Sequence, residues 1–451
     1  TLWQTQSKQI SLLAKKDAEV QTKDTPTSIL TLTAQQLRQQ FFKQLEQSKD
    51  DLSGGLKSTA KFPETPLLKS LLLIKQLPED IEEWLELTLQ QMQTEHLFDH
   101  VNGGFYRYTI DPNWQIPHFE KMLYDNALLA SLYLRAASVL DEPRYIGVAR
   151  KTLDFMAAEL LSEQGGLYAS LSAIDSNNVE GGYYLWQLEE LKKLLNAGEW
   201  LAVSKAWQME SGATTEEGYL PVAYRASVEV AAELDISEAE LSQRLASAKQ
   251  KMLKLRKQRS LPVDDKQLAA WNGMALSAFS QAAKVLNDSR YKDIANGIRK
   301  FLVTKLWKKD HLLRARDKHG KAIGVATLED YAYVAQGLLA WAQLSKESTD
   351  YADVAQVVEQ SWKKFFTPQG WRLTETSLLA NASSEVMLAD GPIPSPSAEL
   401  LRTTLYLLKE RENVQLREQA LQAISAGQEL LLEDPYWFAS HARAVFQLQR
   451  P

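Results

Sequence analysis

The chain has 451 residues, 45% hydrophobic and 24% charged, which is enough apolar sequence to bury a large core. A net charge of −6 offers no basic face for nucleic acid, and no apolar run nears the ~18 residues that a membrane-spanning helix needs. With no cysteine, disulfides, thiol catalysis and thiolate-bound zinc are excluded; with no HExxH among the six histidines, neither metal nor cofactor is expected. A soluble protein follows from this balance, with the cytoplasm favoured over the periplasm.

Helix signals dominate along the chain. Thr33-Ala-Gln-Gln36 reads as a capping-box start, so leading helices are expected within residues 1–50. Next come Gly54-Gly55 and Lys61-Phe62-Pro63, then Gly103-Gly-Phe-Tyr-Arg107-Tyr108, Trp114 and Pro117-His118-Phe119-Glu120-Lys121. Residues 119–140 are apolar on nearly every face, the pattern of a helix buried all round. That helix is expected to start at Phe119, with His118 at its N-cap. His118 and Glu120 would then face a cleft, while Lys121 and Asp125 anchor the first turn. Ser237-Glu-Ala-Glu240 is a second capping box, and 328–342 carries one apolar stripe of period near 3.6.

An internal repeat organises these helices. Residues 136–145 align without a gap on 282–291, and the match continues through Ala149 with Ala295, Phe155 with Phe301 and Leu160 with Leu306. A weaker third copy holds Tyr351 and Ala355. Each copy reads as two antiparallel helices joined by a tight turn. A short glycine-plus-apolar step recurs at Gly55-Leu56, Gly104-Phe105, Gly166-Leu167, Gly218-Tyr219 and Gly370-Trp371, with a glycine-less version at His311-Leu312-Leu313. Six hairpins give an (α/α)6 barrel of residues 1–451, all-α with short rim strands only.

In this alignment Asp125-Asn126 falls on Trp271-Asn272, and both fall near Asp330-Tyr331, in the first turns of inner helices. Inner helices that run parallel bring these positions to one end of the barrel. The loops leading into them supply Arg107, Tyr108, Trp114, His118, Glu120, Asp175, Glu180, Trp186, Asp265, Lys266 and Asp390. Aromatic faces mixed with acids and amides suit a sugar, whose apolar faces stack on rings and whose hydroxyls need donors and acceptors. His118, Glu120, Asp125, Asp175 and Asp330 are the candidate acid–base groups; Arg107, Tyr108, Trp114, Glu180, Trp186, Asp265, Lys266, Trp271, Asn272, Tyr331 and Asp390 are the candidate binding groups. Epimerisation needs a base and an acid beside a carbonyl, whereas hydrolysis needs two carboxyl groups; both remain open. A non-catalytic sugar-binding or scaffold domain is the alternative.

The run from Gly103 through Trp114 to Pro117-His-Phe-Glu-Lys-Met-Leu-Tyr-Asp125 resembles the spermatogenesis-associated protein 20-like family of thioredoxin-domain proteins. Gly54-Gly55, Lys61-Phe62-Pro63, Glu180-Gly181 with Tyr184 and Trp186, Asp265-Lys266, Trp271-Asn272 and Leu328-Glu-Asp-Tyr-Ala332 follow in the same order. The resemblance implies a helical barrel similar to N-acylglucosamine 2-epimerases and six-hairpin glycosidases. It also implies a thioredoxin-like domain ahead of that barrel, outside this chain, which would begin after it near Trp3. Three motifs depart from the family: Ala173-Ile-Asp175-Ser176 lacks a first aspartate, Pro394-Ser-Pro396-Ser397-Ala398 lacks a glycine and an asparagine, and Thr59-Ala60-Lys61-Phe62-Pro63 stands where the family has Ala-Pro-Lys-Phe-Pro. Weakened or altered activity is the expectation from these losses.

Overall fold

The computed structural model describes residues 32–209, 212–223, 225–375 and 384–448, so the expected leading helices are seen only from residue 32 onward and Trp3 lies outside the described residues. In chain order the helices are α1 (Ala34–Ser48), α2 (Thr65–Leu71), α3 (Glu79–Thr94), α4 (Leu123–Val139), α5 (Arg144–Phe155), α6 (Leu188–Leu194), α7 (Ala197–Ala206), α8 (Ser227–Glu233) and α9 (Glu238–Arg256). They continue as α10 (Ala269–Leu286), α11 (Ser289–Phe301), α12 (Leu328–Ser345), α13 (Ser348–Phe365), α14 (Pro396–Glu410), α15 (Val414–Ala426), α16 (Gln428–Glu433) and α17 (Ala439–Leu448). The strands are short antiparallel pieces in the loops. Among the described residues no helix is long and apolar enough to cross a membrane.

Six helices close a ring in the spatial order α2, α4, α10, α12, α14, α17 and back to α2. These inner helices run parallel: contacts near the starts of α4, α10, α12 and α14 pass from one to the next, and α2 meets the start of α17 through Ser70. The Tyr124 and Trp271 rings lie 5.0 Å apart, and the Ala270 amide points at Asp330. The Tyr333 hydroxyl donates to the Pro394 carbonyl just before α14, and the Ser70 hydroxyl donates to Ala439 of α17. Helices α4, α10 and α12 are buried on nearly all faces, as the sequence of α4 anticipates. Helices α3, α5, α11, α13 and α15 return outside the ring. The ring closes through the ends of the described chain: Gln44 of α1 donates to Glu433 and accepts from the Tyr436 amide beside α17.

The repeat is visible in atomic detail. Asn126 accepts the Phe105 amide at 2.7 Å and donates back to the Phe105 and Met122 carbonyls. Asn272 does the same for Leu167 and Leu268. In the third copy the Tyr331 hydroxyl accepts the Leu312 amide at 3.0 Å. The steps at Phe105, Leu167 and Leu312 are thus pinned to the first turn of an inner helix. Glycine is required at these steps: a Cβ on Gly104 would lie 2.4 Å from the Phe155 ring, and one on Gly166 would lie 2.7 Å from the equivalent Phe301 ring. Both outer helices of the copies, α5 and α11, end in a π-helical turn, Met156–Leu160 and Leu302–Leu306.

Two expectations are corrected here. The fourth helix starts at Leu123, not Phe119, because Pro117–His118 pairs as a strand with Tyr108–Thr109 and Lys121–Met122 pairs with Ser170–Leu171. His118 therefore holds an extended segment rather than an N-cap, and Lys121 and Asp125 do not pair. The Gly218-Tyr219 step is also not part of the ring. Residues 188–256 form a satellite of four helices with its own apolar cluster, including Trp186, Trp207 and Met252. A buried triad joins satellite to ring: Asp99 accepts from Arg256 and from Lys121, each at 2.7 Å. Burial alone would raise the Asp99 carboxyl, but those two cations hold it well below the usual carboxylate range.

Candidate functional site

A cleft of about 280 Å³ opens at the N-terminal ends of α2, α4, α14 and α17. Its walls carry Phe62, Tyr124, Tyr436 and the half-exposed Trp437, and its polar groups are Glu64, Arg107, Asp125 and Asp390. Each is placed by a helix start or by the loop before one, so five chain segments meet at one mouth.

Three carboxyl groups here are kept from ionising easily. Burial pushes Asp125 well above its ordinary value, against the opposing pull of Arg107, and its Oδ2 has no hydrogen-bond partner. Burial, then the neighbouring Asp390 charge, pushes Glu64 up to about 7. Burial raises Asp390 to about 6, although its oxygens accept the Ser395 and Ser440 amides at 2.7 and 2.8 Å. Asp390 thereby ties the starts of α14 and α17 together. Glu64 sits at φ 43°, a left-handed conformation costly for a residue with a Cβ.

Arg107 links the cleft to a second cluster on the rim. Its guanidinium lies 3.5 Å from Glu120, and Glu120 lies 3.9 Å from His118 Nε2. His118 Nδ1 is 2.9 Å from the Glu180 carboxylate. The Tyr108 ring stacks between His118 at 5.1 Å and Phe62 at 4.6 Å. The structure therefore gathers Arg107, Tyr108, His118, Glu120, Asp125, Glu180 and Asp390 around one mouth, with Trp271 against the cleft residue Tyr124.

Other expected site residues lie elsewhere. Trp114 is fully buried, with its indole N–H on the Ser53 carbonyl, so it packs under the Gly54-Gly55 turn. Trp186 is buried in the satellite with Arg259 over its ring. Asp175 accepts the Asn177 and Val179 amides and shapes the turn that carries Glu180. Asp330 is a helix cap holding the Thr327 amide and hydroxyl, while Asn272 and Tyr331 are the pins described above. Asp265 and Lys266 make ion pairs with Lys318 and Asp264 away from the cleft. His96 and His100, spaced by four, are turned onto the backbone carbonyls of Gln115, Leu220 and Glu95.

Sequence reasoning missed Glu64, Tyr124, Tyr436 and Trp437. The aromatic pair Tyr436-Trp437 directly ahead of the last helix was the available signal. The departures at Ala173 and at Pro396-Ser397 fall outside the cleft walls, whereas Thr59-Ala60 leads into Phe62 and Pro63, which line it. Ala173 is buried among Tyr106, Phe119 and Tyr184, and Ser395-Pro396 forms an ordinary cap and first helical position.

No protein-family model matches the chain. It is 30% identical over 402 residues to human spermatogenesis-associated protein 20, covering 80% of this chain and 50% of that one. The mouse protein of the same name is 28% identical over 403 residues, and an uncharacterized Caenorhabditis elegans protein is 26% identical over 444, 60% of its length. The chain spans about half the length of the curated mammalian relatives it matches. Among solved structures it is similar to a sugar epimerase from a ruminal bacterium, with a TM-score of 0.60 at 9% identity, covering 93% of this chain and 99% of that one. Cellobiose 2-epimerase from Bacillus thermoamylovorans gives 0.55 at 11%, covering 92% and 99%. A GH76 alpha-mannanase from Bacteroides thetaiotaomicron gives 0.52 at 11%, covering 92% and 94%.

Proposed function

Because this chain is a homologue of spermatogenesis-associated protein 20 built on the (α/α)6 fold of sugar epimerases and GH76 glycosidases, we propose that its cleft binds a sugar and acts on it by acid–base chemistry. The observation that carries this reading is the pair of carboxyl groups, Asp125 and Glu64, whose ionisation burial disfavours, set against aromatic walls in a cleft of about 280 Å³. Phe62, Tyr436 and Trp437 would stack on the apolar faces of the ring. Arg107 would donate to a carbonyl or hydroxyl oxygen.

Asp125 is the acid in this scheme, since burial favours its protonated form, and Glu64, pushed up to about 7, is the base. For an epimerase, Glu64 takes the proton next to the carbonyl while Arg107 steadies the developing oxyanion, and a proton returns on the other face. For a glycosidase, Asp125 protonates the leaving oxygen and Glu64 takes a proton from the attacking water. His118, Glu120 and Glu180 would hold Arg107 and the far end of the ligand.

Proton NMR in D2O separates these cases. Loss of the C2 proton signal of a free aldose marks epimerase chemistry, and new reducing ends from a disaccharide mark hydrolysis. Asp125→Asn should lower either rate by at least about 100-fold, the usual worth of a general acid. Sugar binding with neither reaction would leave the binding or scaffold reading. If wild-type protein neither binds nor turns over mono- or disaccharides, the proposal fails. A thioredoxin-like domain, implied by the family resemblance, is proposed as the covalent neighbour of the barrel. A full-length gene product with no such segment would remove it.

A further inference from the structure

A second cavity, of about 300 Å³, lies inside the ring beyond the sugar cleft, toward the C-terminal ends of the inner helices. Its floor is charged and buried, and its mouth, with Arg135, Gln281 and Gln343, is exposed. Four cationic side chains line it, Lys69, Arg135, Arg402 and Arg443, against the single carboxylate of Glu399. That carboxylate is already spent. Arg402 donates to both its oxygens at 3.1 and 2.9 Å, and Arg443 and Gln336 donate to it as well. Lys69 has no ion pair among the described residues. The Nε of Arg443, a residue 5% exposed, has no hydrogen-bond partner, and neither has the Nε of Arg402.

Buried charges persist when they are paired, and here three cations, Lys69, Arg402 and Arg443, gather about one carboxylate. Burial and the nearby Arg443 charge push Lys69 down to about 7, a cost that an entering anion relieves. A carboxylate ligand would supply one negative charge, whereas a phosphate monoester supplies about −1.5 to −2 at neutral pH and three acceptor oxygens that suit guanidinium forks. The remaining walls offer Ser131, Ser277, Gln281, Gln336 and Gln343, a set of hydroxyls and amides fitted to a hydroxylated body rather than an apolar one. We propose that this cavity is a binding site for a phosphorylated sugar or similar small polyol phosphate, entering at the C-terminal mouth with its phosphate on Lys69, Arg402 and Arg443.

The site is separate from the acidic cleft, so its test does not depend on the sugar chemistry there. Calorimetric titration of the whole chain with glucose 6-phosphate, inorganic phosphate, glucuronate and glucose reads it directly. Glucose 6-phosphate should bind, with inorganic phosphate and glucuronate at least about tenfold weaker and glucose undetected at the same concentrations. Lys69→Met should weaken glucose 6-phosphate binding about tenfold, the loss of one charge-assisted contact, because it leaves the Glu399 pairs in place. Arg135→Gln, at the exposed mouth, should weaken it without any risk to the buried network. Asp125→Asn in the opposite cleft should leave it unchanged. No binding of glucose 6-phosphate, equal binding of glucose, or equal binding to the wild type and both cavity variants would overturn the proposal. Equal binding of inorganic phosphate would overturn the polyol half, and tighter binding of glucuronate would replace phosphate by a sugar acid.

Discussion

At the scale of single residues, polar side chains in the first turns of inner helices divide into two kinds. Asn126, Asn272, Tyr331 and Asp330 spend their hydrogen bonds on neighbouring backbone; Asp125, one position before Asn126, keeps an unpartnered oxygen in the cleft. The alignment placed all of them correctly at one barrel end, but could not separate them, because a helical register of 100° per residue decides which faces the lumen. Trp114 and Trp186 show the same ambiguity, since a buried indole and a stacking platform look alike in sequence. Asn272→Ala should cost about 2 kcal/mol in urea unfolding, since it takes from the buried Leu167 amide its side-chain acceptor. A loss under about 0.5 kcal/mol would show that the pin is dispensable.

Glu64 gives a pH signature of its own. Its folded value, about 7, lies above the ordinary 4.5, so the folded state holds the proton more tightly. Its contribution is therefore fully present below pH ~4.5 and is lost as pH rises through ~7. Asp390, raised to about 6, acts in the same direction. Glu64→Gln should flatten the fall of thermal stability across that window. An unchanged slope would mean that Glu64 is not the titrating group.

Among the elements, the satellite of α6 to α9 was the part least legible in advance. Its glycine-apolar step matches those of the ring, and only long-range packing assigns its helices to a separate cluster. The Asp99–Lys121–Arg256 triad is the buried polar seam between the two. Removing one member leaves a charge imbalance in a dry site. Arg256→Ala should lower stability by about 3 kcal/mol, and hydrogen exchange should quicken first in 188–256. Uniform exchange across the chain would mean that satellite and ring open as one unit.

On the scale of the whole molecule, ring closure depends on partners nearly the full described chain apart. The Leu32 amide reaches Gln428, and Gln44 clasps the segment that carries Tyr436 and Trp437. No local pattern in the sequence announces such a contact, whereas the hairpins were readable from the repeat because their helices are neighbours. Helix α1 buries Leu37, Phe41 and Leu45. Deleting residues 32–48 should cost about 5 kcal/mol from those three side chains. Sugar binding should weaken as well, through the freed cleft wall. Deletion without loss of binding would show that the wall stands on its own.

The same clasp sets an order of events when the protein is made. Translation runs from the N-terminal side to the C-terminal side, so the earlier hairpins can pair as they emerge. The cleft cannot be complete until Tyr436 and Trp437 are out and α17 has docked between α14 and α2. Until then α1 waits with its apolar stripe uncovered. Until α17 docks, the inner helices form an open arc whose uncovered apolar surfaces are the kind that chaperones hold.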